Sequence, residues 1–385
     1  MTEIEQIVTP FETKTNGNQF NYQRLIEKFG VSALNQEHLD RIRRLTGCEP
    51  HPWLKRGIFF AHRQLDEILD DFEQGKKFFL YTGRGPTSES LHLGHMLPFE
   101  FCAWFQHAFD VPIVIQMSDD EKYFFKDMPF EEIYRLGFEN AKDIIACGFK
   151  PEKTFIFSNR DYSPYMYPIV CEINKHVNFN MVKGTFGFTD SSTIGQILWP
   201  TYQAAAAFSG IFPSILGPEK MKCLVAYAID QDPYFRMARD VAPKIDHSKP
   251  CSIMSKFLIA LTGDEKMSTT GISPTIYMTD TREEIEDKIM RYALSGGGST
   301  LQEHRENGAD LTSDVSFEYL RHFEMDDNVL NQIADAYSSG TMTTKEIKNI
   351  LVDKLYEYVR KHQDAKLLVT TDVVSEYYKI RQLEF

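Results

Sequence analysis

The stretch that most restricts the fold runs from Phe78 to His95. An apolar run, Phe78-Phe79-Leu80, stops at Gly83-Arg84-Gly85-Pro86, and a helix is expected to begin near Ser88 or Ser90. Strand, glycine loop and helix together aim backbone N–H groups at a phosphate. The loop lacks the Gly-Lys-Ser/Thr of a P-loop and the glycine spacing of a dinucleotide site. It carries His92-Leu93-Gly94-His95 instead. Two imidazoles three residues apart share a helix face, and Gly94 leaves room for a flat group, such as a purine, against the backbone. In isolation such a pair is more often two surface histidines. No cysteine or carboxylate stands at ligand spacing beside it, so no metal is expected.

From residue 76 the pattern alternates. Strands are expected over 78–82, 113–117, 154–157 and 224–228, and helices over 97–109, 131–147, 164–177 and 232–242. Short apolar runs separated by helices imply an α/β fold with a parallel sheet covered on both faces. Ligands of such sheets bind beyond the carboxyl ends of the strands, and Tyr81, Gln116, Glu121 and Gln231 all fall there.

The flanks differ. Asn16-Gly17 marks a hairpin between residues 11–15 and 19–22. Residues 21–75 read as helices with the apolar stripes Leu25/Ile26/Phe29, Leu39/Ile42/Leu45 and Leu65/Ile68/Leu69/Phe72. Arg41, Arg43, Arg44, Lys55, Arg56 and Arg63 make the densest basic stretch, either a solvated helix face or a track for nucleic acid. After residue 280, Thr281/Glu284 and Thr343/Glu346 look like capping boxes. Ser295-Gly-Gly-Gly-Ser299 reads as a flexible loop, and Ile347, Ile350, Leu351 and Leu355 form the stripe of a helical bundle. The expected division is 1–75, an N-terminal extension; 76–279, the catalytic unit; 280–370, a helical domain; and 371–385, a tail packing back on the catalytic unit.

No apolar run among the 385 residues approaches the ~20 needed for a membrane span. The acidic start, Met1-Thr-Glu-Ile-Glu-Gln, lacks a leader pattern. The six cysteines (Cys48, Cys102, Cys147, Cys171, Cys223, Cys251) are scattered and read as reduced core residues of a cytosolic protein. A net charge of −13 argues against sequence-blind nucleic-acid binding, though it leaves room for a local basic track.

Far downstream stands Lys266-Met267-Ser268-Thr269-Thr270. With His92-Leu-Gly-His95 it resembles the two signatures of class I aminoacyl-tRNA synthetases. Tyr81-Thr-Gly-Arg-Gly-Pro86, Gln116-Met-Ser-Asp-Asp-Glu-Lys-Tyr123 and Ala228-Ile-Asp-Gln-Asp-Pro-Tyr-Phe-Arg-Met237 are similar to the eukaryotic-type tryptophanyl-tRNA synthetases, from about Tyr22 almost to the C-terminus. The resemblance implies a cytoplasmic enzyme with a Rossmann-like catalytic domain, an N-terminal hairpin able to cover the ATP site, and a C-terminal helical anticodon-binding domain. It implies ATP and L-tryptophan as substrates, Mg²⁺ carried on the triphosphate, tRNA(Trp) as partner, and a homodimer.

Residue by residue, the resemblance makes His92, His95, Lys266, Ser268 and Lys122 catalytic. Thr82, Gly83, Arg84, Gly94 and Met267 join His92, His95, Lys266 and Ser268 around ATP. Tyr81 and Gln116 would take the indole N–H, and Glu121, Gln203 and Gln231 the α-ammonium group. Charge builds on the phosphates as pyrophosphate leaves, so positioned cations and N–H donors supply most of the acceleration. The second lysine of the family's mobile loop is Thr269 here. Arg84 and Lys122 are the candidates to replace its charge. Phe179, Phe186, Phe188, Phe208 and Phe212 are read either as a wall or flap of an indole pocket or as plain core. Two rivals share the motifs: a tyrosyl-tRNA synthetase, whose pocket should show an extra carboxylate for the phenol, and a catalytically silent RNA-binding or signalling relative.

Overall fold

The apolar runs assemble one sheet. The computed structural model describes residues 6–15, 20–263, 266–267 and 274–385; Ser268, Thr269 and Thr270 lie outside them. The strands are β1 (Gln6–Val8), β2 (Thr13–Thr15), β3 (Ser32–Ala33), β4 (Phe59–Arg63), β5 (Phe78–Arg84), β6 (Ile113–Met117), β7 (Thr154–Ser158), β8 (Lys222–Ala228) and β9 (Cys251–Ser255). Seven of them form a sheet in the order β3-β4-β9-β8-β5-β6-β7. From β9 to β7 every pairing is parallel, while β4 runs antiparallel to β9 and β3 antiparallel to β4. Successive residues of β5 enter two different cores. Phe78 and Leu80 join the one that contains helix Leu93–Phe109, and Phe79 and Tyr81 join the one that contains Tyr162 and Phe212. A strand buried on both faces needs no polar alternation, so these runs are legible as short apolar blocks. β5 sits between β6 and β8, and the loop after it opens at the carboxyl edge.

Residues 21–75 depart from the helical expectation. Helices Tyr22–Phe29, Gln36–Thr46 and Leu65–Glu73 form, but β3 and β4 extend the central sheet. The expected extension is therefore sewn into the catalytic sheet. Asn16-Gly17 lies outside the described residues; among them a hairpin pairs β1 with β2 in the register Val8↔Thr13. Its turn uses Thr9, whose hydroxyl accepts from the Phe11 and Glu12 N–H groups. The basic stretch is no open track. Arg41 binds Asp70, Arg43 binds Glu49, Arg44 binds Glu73, Arg56 and Lys55 share Asp327, and Arg63 holds the fully buried Asp232.

The helical domain starts as its capping boxes indicated, at Thr281 before Arg282–Tyr292 and at Thr343 before Thr344–Leu367. It shares its core with the sheet, since Ile285, Leu320 and Leu351 pack in the cluster that holds Phe59 and Leu80. Buried polar ties lock it down. The Trp53 indole N–H donates to the His322 carbonyl at 2.7 Å, and Asp143 meets His362 at 3.0 Å and Lys366 at 2.9 Å. The glycine loop is packed rather than loose, because a side chain at Gly296 would overlap the Asp310 carbonyl. The tail does fold back, with the Tyr377 hydroxyl donating to the Phe149 carbonyl and the Leu383 N–H to the Ile215 carbonyl. Cys102, Cys223 and Cys251 are buried as expected, but Cys48 and Cys171 are exposed.

Candidate active site

One cavity of about 740 Å³ opens at the carboxyl edge of β5 and β8. It is lined by the β5 loop (Tyr81, Thr82, Gly83, Arg84, Gly85), by His92, Gly94 and His95, and by Glu121, Lys122, Gln203, Gln231, Lys266 and Met267. Two motifs more than 170 residues apart thus face the same space. The segment that carries Lys266 is tied down where it is described: the Met267 N–H donates to the Leu258 carbonyl, and Leu91 and Leu93 exchange backbone bonds with Met278 and Ile276.

His92 is the N-cap of helix Leu93–Phe109, and its ring stacks on His95 with centroids 3.4 Å apart. Burial, then the Arg84 charge, pushes both imidazoles well below their usual range, so both are neutral at pH 7. Arg84 Nη1 lies 3.0 Å from His95 Nε2. A guanidinium only donates, so this nitrogen faces a donor, and the His92 backbone N–H points at Nδ1 of the same ring at 3.4 Å. Arg84 is half-buried, and desolvation brings it down to about 10. Its Nη2 and the Nδ1 of His92 have no partner among the described residues. Orphan donors at a buried guanidinium are costly without an anion. His95, expected to donate to phosphate, spends Nε2 on Arg84, and the open donor is the arginine's own.

Two of the cavity's lysines, Lys266 and Lys122, are paired with carboxylates. Lys266 Nζ sits 2.6 Å from Oδ2 of Asp230 and 5.0 Å above the Phe257 ring. Lys122 Nζ sits 2.7 Å from Glu121 Oε1, and Ser118 donates to Oε2. The Lys122–Glu121 pair runs across Gly85, where a Cβ would overlap Lys122 Cε and lie 2.5 Å from Glu121 Oε2. Glycine is required there by space, and its conformational freedom is secondary. Asp230 was missed although it lies inside the stretch quoted from Ala228 to Met237. A lone Asp beside a Gln carries no sign that a lysine 36 residues on will dock on it.

The tryptophan-type residues divide. Tyr81, Glu121, Gln203 and Gln231 line the cavity; Gln116 does not. It is fully buried behind Tyr81, whose hydroxyl donates to its Oε1 at 2.5 Å, while its Nε2 donates to Asn159 Oδ1 at 2.8 Å. The expected indole wall is core. Phe186, Phe188, Phe208 and Phe212 are buried away from the cavity and Phe179 is exposed, while Tyr81, Phe99, Tyr227, Phe235, Phe257 and Tyr277 are the phenyl and phenol rings that line it. From the hairpin, Pro10 reaches the cavity, and Phe11 stacks on Phe125 and Phe188 at 5.3 and 5.7 Å.

Among the described residues, His38, His62 and Asp66 bring one donor each within 4.8 Å. The Leu65 N–H donates to His62 Nδ1 at 3.1 Å. That bond puts the neutral ring's proton on Nε2, the atom a metal would need. The cluster serves as a helix start.

Residues 73–359 match the family of class I tRNA synthetases (W and Y). The cytoplasmic tryptophan–tRNA ligase of Oryctolagus cuniculus is 50% identical over 387 aligned positions, covering 99% of this chain and 82% of that one. The Homo sapiens protein of the same name is 48% identical, with 100% and 83% covered. Among solved structures, the tryptophanyl-tRNA synthetase of Plasmodium falciparum superposes with a TM-score of 0.88 at 47% identity, over 94% of this chain and 95% of that one. That of Giardia lamblia gives 0.87 at 38%, over 92% and 95%. With a family match across most of its length and relatives near half identity end to end, the chain belongs to the class I tRNA synthetases of the W and Y group.

Proposed function

We propose that this chain is a cytoplasmic tryptophan–tRNA ligase. A carboxylate oxygen of L-tryptophan attacks the α-phosphorus of ATP, pyrophosphate leaves, and the adenylate's carbonyl is then attacked by the terminal ribose hydroxyl of tRNA(Trp), releasing AMP. The observation that carries this reading is the single cavity shared by the His92/His95 helix start and Lys266.

In this reading the triphosphate lies against the β5 loop, with Thr82, Gly83 and Gly94 allowing close backbone approach. Arg84 and His92 donate to its oxygens through the groups that lack partners. Arg84 supplies the charge absent at Thr269, since Lys122 is already matched by Glu121. Lys266 leaves Asp230 for the β- and γ-phosphates as charge builds there, with Met267 and Ser268 on the same loop. Mg²⁺ arrives on the nucleotide. The cavity's carboxylates, Glu121 and Asp230, each face a lysine and make no separate cage. The α-ammonium group of tryptophan displaces Lys122 from Glu121 and finds Gln203 and Gln231 nearby.

Residues 280–370 are the anticodon-reading domain. A homodimer follows from the resemblance, and Tyr165, Tyr167, Phe179 and Ile194, left exposed, offer it apolar surface. ATP–pyrophosphate exchange with tryptophan and tyrosine side by side tests the reading. Tryptophan-dependent exchange is expected; exchange with tyrosine alone, or with neither, contradicts it.

A further inference from the structure

Behind Tyr81 stands a chain of polar groups whose direction is fixed at its far end. Asp120 Oδ1 receives three donors: the Glu121 N–H at 2.8 Å, Asn159 Nδ2 at 2.8 Å and the Trp199 indole N–H at 3.2 Å. An oxygen so occupied has no proton to give. Burial and the neighbouring Asp119 push the Asp120 carboxyl up to about 7, and the proton this admits falls on Oδ2. The side of Asn159 that faces Asp120 must therefore be its NH₂, which leaves Oδ1 to face Gln116. Gln116 then presents Nε2 to Asn159 and Oε1 to Tyr81, as observed. The Tyr81 hydroxyl has one proton and two protein acceptors, Gln116 Oε1 at 2.5 Å and the Gln203 carbonyl at 3.4 Å. Gln116 and Asn159 are almost wholly buried, so water does not scramble the order.

We infer that Asp120 and Asn159 are specificity-positioning residues, which orient Gln116 and Tyr81 so that the pocket meets the indole edge of its substrate with an acceptor. This rests on the ligase reading and deepens it. The selected feature is a hydrogen-bond donor on the aromatic ring, the indole N–H. Without the relay Gln116 rotates freely. In half its orientations Nε2 meets the Tyr81 oxygen, and the hydroxyl proton is left with only the long 3.4 Å contact to the Gln203 carbonyl or with the cavity, where it faces the indole N–H.

The test is the ratio of kcat/KM in pyrophosphate exchange for tryptophan and for its benzothiophene isostere, in which sulfur replaces N–H. The full chain is used, with Asn159→Leu, Asp120→Ala and Asp120→Asn. The wild type should favour tryptophan by about 100-fold or more. Asn159→Leu and Asp120→Ala should cut that ratio about 10- to 100-fold, with the isostere's own rate held nearly constant. Asp120→Asn keeps an oxygen at the Oδ1 position and should hold the ratio within about threefold. Equal losses for both substrates, or a wild type active on tryptophan but indifferent to the swap, would overturn the inference. Calorimetric binding of the two amino acids gives the same ratio without turnover. Absent exchange would therefore count against the ligase reading, while the binding ratio still judges the relay.

Discussion

Replacing Lys266 by Ala perturbs two things at once. Among the described residues the lysine is the only ion-pair partner of Asp230, whose side chain is 3% exposed, while the lysine's own is 35% exposed. Removing one partner of a buried pair costs about 3–5 kcal/mol, and solvent around the ammonium brings this down to about 1–3 kcal/mol. For a chain of this size that is a fall of a few degrees in Tm. The second effect falls on the chemistry. A cation that meets the phosphates mainly in the transition state is worth about 3–4 kcal/mol there, a loss of ~10²–10³ in kcat with KM for tryptophan little changed. The double variant Lys266→Ala/Asp230→Asn separates the two. The neutral amide no longer needs the ammonium, so Tm should recover most of the loss while kcat stays low. Single-turnover adenylate formation and thermal melts of the three proteins measure both. If the double variant regained its rate along with its stability, Lys266 would be a structural residue and the phosphate role would fail.

Gly85→Ala would drive its Cβ into Lys122 Cε and against Glu121. Both are side-chain ends, so Tm should hold within about 2 °C while KM for tryptophan rises several-fold in pyrophosphate exchange. Phe11→Ala removes the rings' grip on the hairpin beside the cavity. A pair of this kind is worth about 0.5–1.5 kcal/mol, so KM for ATP should rise about 2- to 10-fold. Burial lowers both His51 and His62 from 6.5 to about 4. Between those values the unfolded chain holds protons the folded one refuses, so stability is complete above pH 6.5 and lost as pH falls. The slope is about 1.4 kcal/mol per pH unit for each histidine, and denaturant melts at pH 7 and 5 would show it; equal stability at the two would refute it.

The centre of the fold was legible because both faces of β5, β6, β7 and β8 are buried, which leaves apolar blocks that need no partner to be recognised. β9 was not. Cys251-Ser-Ile-Met-Ser255 has serines at its second and fifth positions that the packed sheet buries all the same. β4 escaped because Phe59-Phe-Ala-His-Arg63 stands between two helical stripes and takes its strand state from pairing with β9. The Thr9 turn, which closes the β1–β2 hairpin, carries no glycine or proline-glycine signal and was not expected. At the site, the loop glycines, the two histidines and Lys266 were readable from motif and spacing. What was not readable is which charge answers which. Asp230 on Lys266 and Asp120 behind Asn159 are contacts across the cavity or the fold, and no local pattern encodes them. The basic stretch from Arg41 to Arg63 makes the same point in reverse, since Asp70, Glu73, Asp232 and Asp327, all from elsewhere in the chain, pair with most of it.

The most direct measurement is a crystal structure of the full chain with tryptophan and a non-hydrolysable ATP analogue. One triphosphate should bridge the two motifs, with Arg84 Nη2 and His92 on one side and the Lys266 ammonium, released from Asp230, on the other. A nucleotide bound away from the β5 loop, or a bound triphosphate with Lys266 still seated on Asp230, would contradict it.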